Sequence, residues 1–192
     1  FKVISTHMEK VILNEEILYY GYVKCPKGYE IDRESIKYQM MYSYLNNKDK
    51  QRFTFDHTIH LDYLGAYIRD FHYQKVNYEY TLINKEISAV ILKQGESTKR
   101  KNEIDPFDIK NSPTYVLIYG IELEDNSSNV IVHYNRLKMP KCTWTIPIQN
   151  NKFIIFPAHL DYEITANTSK LNGYYLIQTL DEFQVRFHKL KH

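Results

Sequence analysis

Hydrophobic positions along this chain recur with two periods, and the change falls near Lys75. Before it, 17–25 reads as one strand, stopped by Pro26 and Gly28. Asp32 then stands as a helix N-cap with Glu34 in the first turn, and Ile36, Met40, Met41, Tyr44 and Leu45 fall on one face at helical spacing. A second helical stripe runs through Leu61, Leu64, Ile68 and Phe71, with Asp56 or Thr58 as its cap. After Lys75 the pattern predicts strands over 86–92, 114–123, 129–135, 142–148, 152–157, 161–166 and 173–179, separated by polar turns rich in Asn and Ser. No helix-length segment lies between them, so βαβ crossovers are excluded and the sheets should be antiparallel. The expected fold is mainly β, an antiparallel jelly-roll sandwich or barrel. Residues 1–75 form a mixed part with two helices packed on it, and 76–192 form the jelly-roll domain.

Alternation predicts how strands face. Trp144, Ile146 and Ile148 alternate with small or polar residues, which places all three in the core, and Pro147 marks an edge strand or bulge. Tyr115–Tyr119 and Phe153–Phe156 are apolar on both faces, as central strands are. The polar stretch from Gln94 to Ser112 is the one loop long enough to serve as a lid or docking arm.

Composition narrows the function classes. Among 192 residues, 25 Lys and Arg stand against 23 Asp and Glu, and this net +2 gives no electrostatic case for nucleic acid or an anionic membrane. No apolar run approaches the ~18–20 residues of a spanning helix, and the residues from Phe1 to His7 lack a signal-peptide layout. Two cysteines, Cys25 and Cys142, read as free thiols. Eighteen Tyr favour strands and half-wet interfaces. The six glycines form no phosphate-binding spacing, and neither CxxC nor GxSxG occurs.

Metal chemistry remains. His57, His60, Asp62 and His72 lie within sixteen residues, and His60-Leu61-Asp62 has the HxD spacing of a two-His-one-carboxylate iron site. On a helix, however, residues two apart point about 200° from each other and cannot share one ion. His133 faces away from Val132 and Tyr134 on a strand, and His159 follows the strand ending in Pro157. Asp161 and Glu163 share a wet strand face.

The runs Tyr115-Val116-Leu117-Ile118-Tyr119-Gly120, Val130-Ile131-Val132-His133-Tyr134, Trp144-Thr145-Ile146-Pro147, Asn151-Lys152-Phe153-Ile154-Ile155-Phe156-Pro157 and Tyr162-Glu163-Ile164-Thr165-Ala166-Asn167 resemble proteins of large marine tailed phages. Those proteins look like the double-stranded β-helix of the iron(II)/2-oxoglutarate oxygenases. Asp105–Pro113 and Gly21–Pro26 resemble the same group, so the resemblance covers most of the chain. It implies a distal iron His shortly after the strand ending Phe156-Pro157, where Tyr162 stands with His159 displaced. It also implies a proximal HxD shortly before Tyr115, where Asn111-Ser112-Pro113-Thr114 holds no His, and an oxoglutarate-binding Arg near Asn172, where Lys170 is the nearest cation.

With three parts missing, the expectation is a non-catalytic jelly-roll protein of a phage virion, a capsid, neck or tail component. It would act by contacts with other phage structural proteins, would pack into a symmetric homo-oligomer, and would be found in the virion or the cytoplasm of the infected bacterium. The enzyme alternative is an iron(II)/2-oxoglutarate-dependent dioxygenase with a rearranged site drawing on His60, Asp62 and either His133 or His159. Lys170 would then pair the oxoglutarate carboxylate. A carbohydrate-binding module is a third reading, disfavoured because Trp144 is assigned to the core.

Overall fold

A computed structural model describes residues 16–47, 51–54, 62–75, 79–136 and 139–184. Along the chain come β1 (Tyr19–Tyr22), α1 (Arg33–Asn46), β2 (Phe53–Thr54), α2 (Asp62–Lys75), β3 (Tyr80–Leu92), β4 (Tyr115–Glu122), β5 (Asn129–Arg136), β6 (Met139–Pro147), β7 (Lys152–Pro157), β8 (Asp161–Ile164) and β9 (Gly173–Gln184). The major sheet has the order β1-β7-β4-β9-β3-β2 and the minor sheet β6-β5-β8, with antiparallel pairing throughout both. This is the mainly β, two-helix jelly roll that the periodicity predicts.

Each face of the major sheet has its own core. Outward-facing Leu117, Tyr119, Phe153, Ile155, Leu176 and Ala89 pack under the helices, against Ile36 and Met40 of α1 and Leu64 and Ile68 of α2. Asp32 caps α1 by accepting from the Ser35 backbone N–H at 3.0 Å, as its sequence position implies. Inward-facing Ile118, Ile154, Phe156, Tyr175 and Ile177 meet Val130, Val132, Ile146, Tyr162 and Ile164 of the minor sheet. Period-2 alternation therefore sorts one strand's residues between two cores.

The polar turns are less simple than their sequence suggests. β3 starts at Tyr80 and not at Glu86, and β9 continues to Gln184 and not to Thr179, because the two pair from Tyr80↔Gln184 to Leu92↔Gly173 around a bulge at Asn84/Glu86. Mutual pairing carries the polar residues 84–86 into a strand that their propensity disfavours. The stretch from Gln94 is no lid. Its first half lies along β8 through the bridge Lys101↔Tyr162 and the bonds Thr98 N–H to Ile164 O (3.0 Å) and Glu103 N–H to Ala158 O (3.1 Å). It extends the minor sheet beyond β8 as an irregular strand. Gly120 is fixed by packing, since a Cβ there would stand 2.2 Å from the Gln149 carbonyl oxygen.

Candidate active site at the polar seam

Register builds the site. Across the minor sheet, Lys101, Tyr162, Val132 and Trp144 are direct cross-strand partners and share the inner face. Across the major sheet the facing row is Thr54, Ser88, Ile177, Ile118, Ile154 and Tyr20. The middle of both rows is buried core, and each end opens at a seam between the sheets. One end is polar, with Thr54 and Ser88 facing Lys101. The other is apolar, with Tyr20 facing Trp144.

At the polar seam, β2 is only two residues long, but Phe53 is buried against Tyr44 of α1 at 5.9 Å between ring centroids, which anchors the chain beside Arg52. The Arg52 guanidinium donates from Nε to Ser88 Oγ and from Nη1 to Glu103 Oε1 (2.5 Å) and Tyr162 OH (3.2 Å). Tyr162 OH donates to the same Glu103 oxygen at 2.5 Å, and Lys101 Nζ lies 3.0 Å from it. One carboxylate oxygen thus receives two cations and a phenol, with the Arg52 and Glu103 side chains only 15% and 12% exposed. Lys101 and Glu103 reach it together because residues two apart on an extended segment project to the same side. On the opposite face, Asp161 holds the segment in register by accepting from Asn102 Nδ2 (2.9 Å) and pairing with Arg100 Nη2 (2.7 Å).

The electrostatics follow. Burial would push the Glu103 carboxyl up, but the Arg52 charge, the Tyr162 hydrogen bond and Lys101 together hold it below the usual carboxylate value. Burial, followed by the Glu103 charge, pushes the Tyr162 phenol far up, so it stays protonated and donates. The cluster borders a polar cavity of about 340 Å3 lined by Arg52, Thr54, Glu86, Ser88, Lys101 and Glu103.

The residues proposed from sequence do not converge here. His60 lies outside the described residues, and Asp62 is the exposed first residue of α2. His133 is on the outer face of β5, paired through Nε2 with Glu163 at 2.9 Å, because alternation turns it away from Val132. His159, in the turn after β7, pairs with Glu16 at 2.8 Å. His72 is buried beneath the major sheet with Glu182 at 3.1 Å. Lys170 is exposed, and the cavity of about 770 Å3 lined by its neighbours Leu171 and Asn172 also carries Glu30, Glu34, Glu122 and Glu124, which repel a dicarboxylate. The segment facing Tyr162 is Lys101-Asn102-Glu103, earlier in the chain than Asn111–Thr114. Sequence reasoning missed Arg52 and Glu103 because their partners are distant in sequence, although a Lys-x-Glu in an extended polar stretch ahead of β4 was a readable signal.

An iron ion of the kind the sequence resemblance implies needs three inward donors drawn from His and carboxylate. The seam offers two carboxylates, Glu103 already neutralised by two cations and the exposed Glu86, with a protonated phenol and no histidine among the described residues. Among the described residues, no group of three or more His, Cys, Asp or Glu could hold a metal ion. These residues do not fit iron.

No family model matches the chain, and no curated protein matches it. Its fold is that of several solved structures. The viral collagen prolyl hydroxylase of Paramecium bursaria Chlorella virus-1, solved with 2-oxoglutarate, aligns over 85% of this chain and 94% of its own at a TM-score of 0.59 and 12% identity. A Pseudomonas putida prolyl-4-hydroxylase aligns over 85% and 91% at 0.57 and 8% identity. A Burkholderia pseudomallei oxidoreductase of the 2OG-Fe(II) oxygenase family aligns over 68% and 60% at 0.51 and 10% identity. The structures that share the fold are hydroxylases and an oxidoreductase, and this overturns the virion-component expectation in favour of the enzyme alternative. What the likeness shows of the chain itself is its fold, a double-stranded β-helix.

Proposed function

We propose that this chain is an oxygenase-class enzyme that turns over 2-oxoglutarate, with that acid co-substrate held at the polar seam around Glu103 and Tyr162. The fold likeness supports the class. The location is supported by one observation above others: register brings Arg52, Lys101, Glu103 and Tyr162 from three separated parts of the chain onto one inward-facing, solvent-accessible point. Groups whose pKa values are pushed away from the ordinary ones, as those of Glu103 and Tyr162 are, are enriched at functional sites.

The seam's own residues have definable work. Lys101, with a side chain 43% exposed, presents an ammonium to the cavity, and Arg52 presents its guanidinium, so an acid co-substrate meets two N–H-donating cations. Glu103 holds both cations in place, and Tyr162 keeps a proton at its oxygen next to them. Iron would supply oxygen activation in this class, but the described residues do not carry its ligand set.

Anaerobic titration with 2-oxoglutarate alone, iron(II) alone and both together, followed by oxygen and quantification of succinate, tests the reading. Binding of 2-oxoglutarate that drops at least tenfold in Lys101→Ala, together with oxygen-dependent succinate formation lost in Glu103→Gln, supports it. A folded protein that binds no 2-oxoglutarate under any of these conditions overturns it.

A further inference from the structure

The other end of the same side-chain row carries a second site. Trp144 was assigned to the core by its alternation with Ile146 and Ile148, and those two are buried. Trp144 is nevertheless 52% exposed, although it stands beside the buried Val132 on the inner face. Alternation gives the face correctly, but β6 is an edge strand, and the major sheet ends above it at β1. Tyr20, the residue of β1 on the matching row, is 53% exposed. Between them lies a cavity of about 260 Å3, with Val132 and Leu160 among its walls, Tyr134 lining it as well, and Glu16 as the one acidic residue among the described residues that line it.

We infer that this apolar seam binds a neutral small molecule carrying one or two fused rings, with a hydroxyl or N–H directed at the Glu16 carboxylate. Size argues for rings: an apolar cavity of ~150 Å3 takes up benzene, so about 260 Å3 admits a larger ring system. The walls argue for an apolar body. Buried Val132 and Leu160 give nothing to hydrogen-bond, so a sugar would lose hydration of hydroxyls that the Glu16–His159 pair, 2.8 Å apart, and the phenol and indole groups of the walls satisfy only in part. Charge argues for neutrality. Glu16 is already paired with His159, and Lys152 Nζ lies 5.4 Å from the Tyr20 ring centroid, so both signs stand near the site and neither is in excess. Two exposed aromatic rings facing one another across a cleft supply stacking surfaces of low conformational cost.

As the place for an organic substrate this site deepens the oxygenase reading and rests on it; as a ring-binding site it does not. The test therefore reads ring binding alone, without iron or 2-oxoglutarate. Trp144 is the only tryptophan of the chain, so 15N-labelled protein shows a single indole N–H resonance. Titration with 2-naphthol should move that resonance saturably, with half-saturation below about 1 mM, a modest affinity suited to one small ring system. Tyr20→Ala should weaken binding at least tenfold and Glu16→Gln severalfold, while Tyr38→Ala, on the exposed side of α1, should leave it unchanged. Both side chains at the seam are exposed enough for the variants to fold, and the backbone amide spectrum verifies this. No shift up to the solubility limit of 2-naphthol overturns the proposal, as does a shift that Tyr20→Ala leaves intact. A resonance that moves with protein concentration and ignores 2-naphthol puts a second copy of the chain in the seam, and one that responds only to methyl glucoside puts a sugar there; either overturns it.

Discussion

The two seams lie at opposite ends of one row of side chains, Lys101–Tyr162–Val132–Trp144, and are closed in opposite ways. At the polar end the sheets are tied by Arg52 reaching across the gap to Glu103 and Tyr162, so charge and hydrogen bonds do what packing does elsewhere. At the apolar end no described residue bridges Tyr20 and Trp144, and a cavity lies between them. Sheet edges account for the difference. At one edge β2 and the 94–103 segment overhang the interior and bring long polar side chains with them, whereas at the other β1 and β6 bring rings. Burial raises the stakes of the first arrangement, because a carboxylate among core residues is tolerable only while its partners are in place. The second arrangement leaves apolar surface exposed, which costs little in stability and suits an incoming ligand.

If that contrast is right, stability should respond steeply at one seam and weakly at the other. The largest loss should follow Tyr162→Ala, which empties the space beside Phe156, a T-shaped neighbour at 5.3 Å, and removes a donor from Glu103. About 4 kcal/mol is expected by chemical denaturation, in the range of large-to-small core changes. Glu103→Gln should cost about 3 kcal/mol, because Arg52 loses its counter-charge in a poorly solvated place. It should also change the acid limb of stability. The folded Glu103 carboxyl titrates below its unfolded value of about 4.3, so its contribution is complete above that pH and is lost as pH falls through the lower folded value. Denaturation followed between neutral pH and pH 3 should show wild type and Glu103→Gln converging at the acid end, and parallel curves would break the argument. Tyr162→Phe, which removes only the hydroxyl, should cost about 1.5 kcal/mol.

Much of this architecture is legible in the amino-acid pattern. The strands 114–123 and 152–157 are continuous apolar runs and both are central, and the helix is marked by its Asp32 cap, so local preference and tertiary environment agree. The site is legible only in part. Tyr162 stands out by position, but Arg52 and Glu103 are 51 residues apart, and their meeting depends on a two-residue strand and an irregular segment with no period to read. The histidine readings went elsewhere for a related reason. His133 and His159 each pair with a nearby carboxylate, a use of histidine that spacing cannot distinguish from ligation. Trp144 shows the third limit, since alternation assigns a face, while exposure depends on how far the opposite sheet extends.

The smallest expected effect is therefore the most informative about the apolar seam. In a closed core, Trp144→Phe would leave a cavity and cost about 2 kcal/mol or more. With the side chain half exposed and no partner across the gap among the described residues, its contact with the minor sheet shrinks by only a few tens of Å2, and at roughly 25 cal/mol per Å2 of apolar surface this amounts to about 1 kcal/mol or less. The unfolding midpoint should shift by no more than a few degrees, with the denaturant slope unchanged. A loss comparable to that of Glu103→Gln would mean that Trp144 is covered in solution, by a second copy or another part of the chain. The two seams would then differ in chemistry but not in how tightly they are closed.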